Sequence, residues 1–211
     1  MLTEANRELA LKLYEIGAIT FGEFRLKLHE KYPNAPLSPI YIDLRVLRSF
    51  PDALDSAVRV YEQLSSELRF DCYADVPTAA TPIVAVLSHK TRIPMISPRK
   101  EVKEVKGHGT RRPIDGVFRE GQVALLVDDL ITAADSKLEA ISVLEENGLR
   151  VHDVVILVDR EQGGVEELER RGYSCRAAFK LKELIKTYLD LHKITQHQYD
   201  KTMSYLENAR A

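Results

Sequence analysis

A doubly wound α/β fold on a parallel sheet is predicted by three observations. Short segments that read as strands, at residues 71–76, 123–127 and 154–158, alternate with helical patterns, as expected of βαβ units. The run Val123-Ala-Leu-Leu-Val carries no polar residue, which marks a strand covered on both faces. A chain of 211 residues that is 45% hydrophobic can bury one α/β core with a small appendage.

The first ~30 residues read as a helix, a break at Gly17 and a short amphipathic segment over 21–28, followed by a proline-punctuated stretch over 32–39. This is a poor start for a sheet. Residues 41–45 read as a short strand and 53–68 as a helix. The strand at 71–76 ends in Pro77-Thr-Ala-Ala-Thr-Pro82, with Pro82 suited to the first helical position. Residues 83–88 read as helical, 95–97 as a strand, and 123–127 as a buried strand. Leu138, Ile141 and Leu144 recur at helical spacing, with Gly148 as a stop. Residues 154–158 form another buried strand, and the tail over 181–207 reads as helical. There is no internal repeat.

The net charge of −2 and the dispersed Lys and Arg give no sign of nucleic-acid binding. Cys72 and Cys175 are too few and too distant for a disulfide framework or a metal site, so they read as thiols of a reducing compartment. The opening Thr3-Glu-Ala-Asn-Arg-Glu has no leader character, and no apolar run approaches ~18 residues. A soluble, cytoplasmic protein with no membrane partner is expected.

Asp128 and Asp129 are adjacent carboxylates where a buried strand meets a helix. In open α/β sheets ligands bind in the crevice at the carboxyl ends of strands, and the next helix offers unpaired N–H groups to a phosphate. Carboxylates there would hold sugar hydroxyls or a magnesium ion. The linking loop reads Thr132-Ala-Ala-Asp-Ser136. Asp135, with Ser136 and Glu139, has capping-box spacing and reads as a helix N-cap.

These residues resemble the signature of the type I phosphoribosyltransferases: an apolar strand, two acids, two apolar residues and a Thr/Gly-rich loop such as TTGGS. Here Ala134 stands where that pattern has Gly, and Asp135 where the residue is small and uncharged. A positive φ would cost Ala roughly 1–2 kcal/mol. An added carboxylate about 4 Å from a phosphate charge would cost on the order of 4 kcal/mol at an effective dielectric of ~20.

Further segments are similar to those of the orotate phosphoribosyltransferases, including the corresponding domain of uridine monophosphate synthase. Ser38-Pro-Ile-Tyr-Ile-Asp-Leu-Arg45 resembles that family's SPIYIDLR segment. Arg99-Lys-Glu-Val-Lys103 before His108-Gly-Thr110 resembles its mobile loop. Val154-Val-Ile-Leu-Val-Asp-Arg-Glu-Gln-Gly-Gly164 resembles its DREQGG strand end, and the tail from Phe179 resembles its closing helices. The resemblance implies one domain over 1–211, with a core over about 46–179 and a small hood from about 1–45 and 180–211.

It also implies transfer of a phosphoribosyl group from 5-phosphoribosyl 1-pyrophosphate (PRPP) to N1 of orotate with magnesium, giving orotidine 5′-monophosphate and pyrophosphate. Asp128 and Asp129 would serve the ribose and the metal, and Thr132, Ala133, Ala134, Asp135 and Ser136 would receive PRPP. Thr78 and Ala79 fill the position of the pyrophosphate loop, a turn that lacks Gly and carries no basic side chain. Arg99, Lys100, Lys103 and His108 match pyrophosphate-binding residues, on a loop over 99–110 that in the family reaches the neighbouring subunit of a homodimer. Three extra residues separate Lys103 from His108, so either Lys103 or Lys106 is the working lysine. Lys27, Tyr41, Ile42, Thr132 and Arg160 match the orotate contacts. Three readings stay open: an active orotate phosphoribosyltransferase, a non-catalytic relative with a binding or regulatory role, and a transferase for another base.

Overall fold

The computed structural model describes residues 2–26, 28–99 and 112–208. α1 (Glu4–Glu15) begins at Thr3, whose hydroxyl accepts the Asn6 N–H at 3.2 Å. Residues 21–28 are not the amphipathic segment expected. Instead β1 (Ile19–Phe24) pairs antiparallel with β2 (Ser38–Ile42), with the four-residue α2 (Leu28–Lys31) between them. Ile19 and Ile40 are both buried, so the pairing is fixed by burial against a partner some twenty residues away, which local periodicity does not report. The strand expected at 41–45 lies earlier because Asp43 stops it. The Asp43 carboxylate accepts the Arg45 N–H at 3.1 Å and opens a 3-10 turn over Leu44–Ser49.

The core elements follow as α3 (Pro51–Ser65), β3 (Cys72–Asp75), α4 (Thr81–Thr91), β4 (Met95–Pro98), β5 (Ile114–Asp115), β6 (Val123–Ile131), α5 (Asp135–Glu146), β7 (Arg150–Asp159), α6 (Gly164–Arg170) and β8 (Ser174–Lys180). The sheet order is β5-β4-β3-β6-β7-β8, parallel except for the antiparallel β4–β5 pair at one edge. β6 therefore sits in the interior of a doubly wound sheet, as the sequence predicts. Its alternate residues serve two apolar layers. Leu125 and Val127 join the layer shared with α3 and α4, while Ala124 and Leu126 join the layer beneath α5. Each fully buried aliphatic side chain of this kind contributes about 1.5–3 kcal/mol.

The tail is helical as expected, in two helices, α7 (Leu181–Asp190) and α8 (Gln196–Asn208). Thr195 and Gln198 form a reciprocal cap before α8, with Thr195 N–H to Gln198 Oε1 at 2.9 Å and Gln198 N–H to Thr195 Oγ1 at 3.2 Å. α8 packs on β2, which brings the two ends of the chain together. Cys72 is buried and Cys175 half-buried, both as free thiols whose burial pushes them up to about 11 and about 12. No helix among the described residues is long and apolar enough to cross a membrane.

Candidate active site

β6 continues past its apolar run, so Asp128 and Asp129 lie on the strand itself, still paired with β7 as far as Ile131 beside Asp159. Strand alternation points the two side chains apart at Cβ, yet the two carboxyl groups stay within hydrogen-bonding reach of each other. Asp128 is turned toward α5 and buried, with Oδ1 accepting the Asp129 N–H at 2.9 Å and Oδ2 2.5 Å from Lys137 Nζ. Lys137 also donates to the Leu130 carbonyl at 2.5 Å. The Asp128 carbonyl accepts the Tyr61 hydroxyl at 2.7 Å, tying β6 to α3. Asp129 is half-buried. Burial, and secondarily the charge of Asp128, push its carboxyl up from the usual range.

Sequence reading missed Lys137. A lysine in the first turn of a helix opposes the dipole there, and that contrary placement is the signal that could have singled it out.

The loop to α5 corrects one expectation. Asp135 is the first residue of the helix, not its cap. Ala134 occupies the cap position, and no side chain bonds to the first N–H groups. Ala134 is buried with φ −84°, so the left-handed conformation that favours glycine does not occur there. Thr132, Ala133 and Asp135 are exposed and Ser136 is half-buried, so the loop meets solvent, while the Lys137 and Leu138 N–H groups are both taken by the Ala134 carbonyl at 2.9 Å.

At the end of β7, Arg160 donates its N–H to the Ile131 carbonyl at 3.0 Å, while its side-chain Nε is buried with no hydrogen-bond partner. Burial lowers the basicity of this guanidinium, and Tyr205 of α8 lies near enough to raise it in part. Glu161 follows with φ 57°; its N–H reaches Asp159 Oδ1 at 2.8 Å, and its own carboxylate accepts the Lys182 N–H at 2.9 Å at the start of α7. Gly164 is required by space. A Cβ there would lie 2.6 Å from Ile131 Cγ1 and 2.9 Å from the Thr132 carbonyl oxygen, so the loops after β6 and β7 touch.

Tyr41 and Ile42 are half-buried at the end of β2, and the Tyr41 ring lies 5.5 Å from that of Phe24 at 30°. Thr78 is exposed and Ala79 half-buried in the turn after β3, where the Pro77–Thr78 peptide is cis. The sequence shows no cation in that turn, but the fold brings one. Arg48, from the 3-10 turn, donates to the Thr78 carbonyl at 3.1 Å. Arg99 is engaged by Asp115, at 3.0 Å from Nε and 2.5 Å from Nη2, and this keeps the guanidinium firmly protonated. Lys27, Lys100, Lys103, Lys106 and His108 lie outside the described residues.

The oxygens of Asp128 and Asp129 are hard ligands suited to magnesium, but one carboxylate is committed to Lys137. Among the described residues no group of three or more His, Cys, Asp or Glu is placed to hold a metal ion. This donor set fits a magnesium ion that arrives on phosphate oxygens and takes a single carboxylate from the protein.

No family model matches the chain. It is 36% identical over 192 residues to the bifunctional enzyme PyrF/PyrE of Nostoc sp., covering 91% of this chain and 38% of that protein. It is 34% identical over 200 residues to the orotate phosphoribosyltransferase of Pyrobaculum aerophilum, covering 94% of this chain and 98% of that one. The solved structure of Leishmania donovani UMP synthase superposes with a TM-score of 0.84 at 32% identity, over 97% of this chain and 42% of that chain. The chain thus spans about two fifths of its bifunctional relatives and nearly the whole of the shorter one.

Proposed function

Because the chain belongs to the orotate phosphoribosyltransferase family, we propose that it transfers the phosphoribosyl group of PRPP to N1 of orotate, giving orotidine 5′-monophosphate and pyrophosphate. The observation that carries this reading is Arg160, a half-buried side chain whose Nε is buried with no hydrogen-bond partner, beside the Thr132 loop. A cation withheld from protein partners suits a planar ligand bearing a carboxylate.

Bond breaking at the anomeric carbon builds positive charge on the ribose and negative charge on the departing pyrophosphate. Asp129 faces the sugar and stabilises the first. Arg99, Lys100, His108 and either Lys103 or Lys106 gather around the second, with Thr78 and Ala79 forming the turn beneath it. Residues 132–136 and the first N–H groups of α5 receive the 5-phosphate. Lys27, Tyr41, Ile42, Thr132 and Arg160 hold orotate, the ring lying against the Tyr41 face with its carboxylate toward Arg160. Magnesium, held by the diphosphate and Asp129, would supply charge neutralisation of the leaving group. A homodimer places the loop over 99–110 on the neighbouring site.

A non-catalytic reading draws on Asp135, whose exposed carboxylate stands at the phosphate loop. The test separates the two. The protein is titrated with PRPP and magnesium by calorimetry, orotate is then added, and its ultraviolet absorbance is followed. Binding followed by orotate consumption is expected. No binding at millimolar PRPP would overturn the enzyme reading.

A further inference from the structure

A buried ion pair joins the strand that carries the carboxylates to the helix that follows. Lys137 and Asp128 expose only 5% of each side chain, and Nζ lies 2.5 Å from Oδ2. The three donors of this ammonium group are all placed, on Asp128 Oδ2, on the Leu130 carbonyl and, at 3.4 Å, on Ser136 Oγ. Lysine is almost never this buried, and a pair of well-packed apolar residues would generally stabilise the core as well or better. The cation also sits in the first turn of α5, where the helix dipole opposes it. Stability of the helix or the core therefore does not account for it.

What the pair does is geometric. Leu130 and Ser136 lie at the two ends of the loop over 132–136, so one ammonium group holds both ends of that loop and commits Asp128 to itself. Of the two adjacent acids, Asp129 alone is left for a ligand.

Resting on the reading given above, we propose that Lys137 is a positioning residue of the phosphoribosyl site, fixing the 132–136 loop in its ligand-receiving shape and dividing the acid pair into one structural and one sugar-facing carboxylate. The ligand it serves is the ribose 5-phosphate half of PRPP, and the base pocket shares only Thr132 with that loop.

The test uses Lys137→Met, which keeps the length and removes the charge, with Lys137→Arg as the conservative variant. PRPP affinity is measured by calorimetry without orotate, KM for each substrate and kcat by absorbance, and melting temperature on the same samples. Lys137→Met is expected to weaken PRPP at least about tenfold while KM for orotate stays within about threefold. Its melting temperature should fall, because Asp128 is left buried without its cation, and Lys137→Arg should recover most of the affinity and of the melting temperature. Unaltered PRPP affinity would overturn the proposal, and so would equal losses for both substrates, the mark of a merely structural role. If Lys137→Met does not fold, Lys137→Gln, which keeps a donor for the Leu130 carbonyl, is judged by the same measurements. Failure of the wild-type protein to bind PRPP would instead refute the proposed function before any variant is made.

Discussion

At the scale of single residues the crevice is a place where charge is held against the preference of its surroundings. Arg160 loses solvent without gaining a partner for Nε, and its basicity falls accordingly. Truncating it to alanine should raise KM for orotate about 30- to 100-fold, the ~2–3 kcal/mol of a charged hydrogen-bond pair, and leave PRPP nearly untouched. Steady-state kinetics with each substrate varied would show this, and equal effects on both would remove Arg160 from the base pocket. Asp129 behaves in the opposite sense. Its carboxyl is raised in the folded protein from 3.8 to about 7, so the native state binds the extra proton and stability declines as pH rises through that window. Asp129→Asn abolishes this penalty. The variant should therefore melt above the wild type by a margin that widens between about pH 5 and pH 8, at about 2–4 °C per kcal/mol for a chain of this size. Catalysis should fall sharply in the same variant. A margin that shrinks on going to higher pH would show that Asp129 is not destabilised by its burial.

Between residues and the whole lie the loops that join strand to helix, and here the structure redistributes the two oddities of the TAADS sequence. Ala134 already has a helical φ, so Ala134→Gly should loosen α5 by about 0.5–1 kcal/mol without improving PRPP binding. Asp135 starts the helix with its carboxylate exposed at the loop, so Asp135→Asn should tighten PRPP severalfold. Calorimetry on the two single variants decides, and an affinity gain from the glycine rather than the asparagine would refute this division. Gly164→Ala should cost about 1–3 kcal/mol, visible in a thermal melt, because Ile131 and the Thr132 carbonyl leave no room for a methyl group. The parallel strands were legible because a strand buried on both faces writes an uninterrupted apolar run. The acid pair was legible because it closes such a run. β1 was not, since its partner is non-local, and neither were β5, α6 and β8, which are short or carry polar residues at exposed edges. The break before α8 was written in Thr195 and Gln198 as a capping box, but the apolar spacing on either side masks it. Arg48 reaches the site only through a tertiary contact, so no reading of the loops themselves could place it.

At the scale of the whole molecule, the chain's first and last segments meet through β2 and α8, and β6 supplies both carboxylates from the middle of the sheet. A homodimer that exchanges the 99–110 loop makes a quantitative claim. An inactive loop variant, Lys103→Ala with Lys106→Ala, mixed with the impaired Asp129→Asn should recover activity at roughly a quarter of the sites, because a mixed dimer contains one intact combination. Activity that stays at the level of the parents after subunit exchange would place loop and pocket on the same chain. Glu161 has a consequence at the far end of the protein. Its carboxylate, one residue beyond Arg160, closes the amino end of α7 by taking the Lys182 amide. Every opening of that turn exposes the amide to solvent, so deuterium uptake at Lys182 would act as a clock for the pocket, slowing when a ligand settles against Arg160 and running free when it leaves.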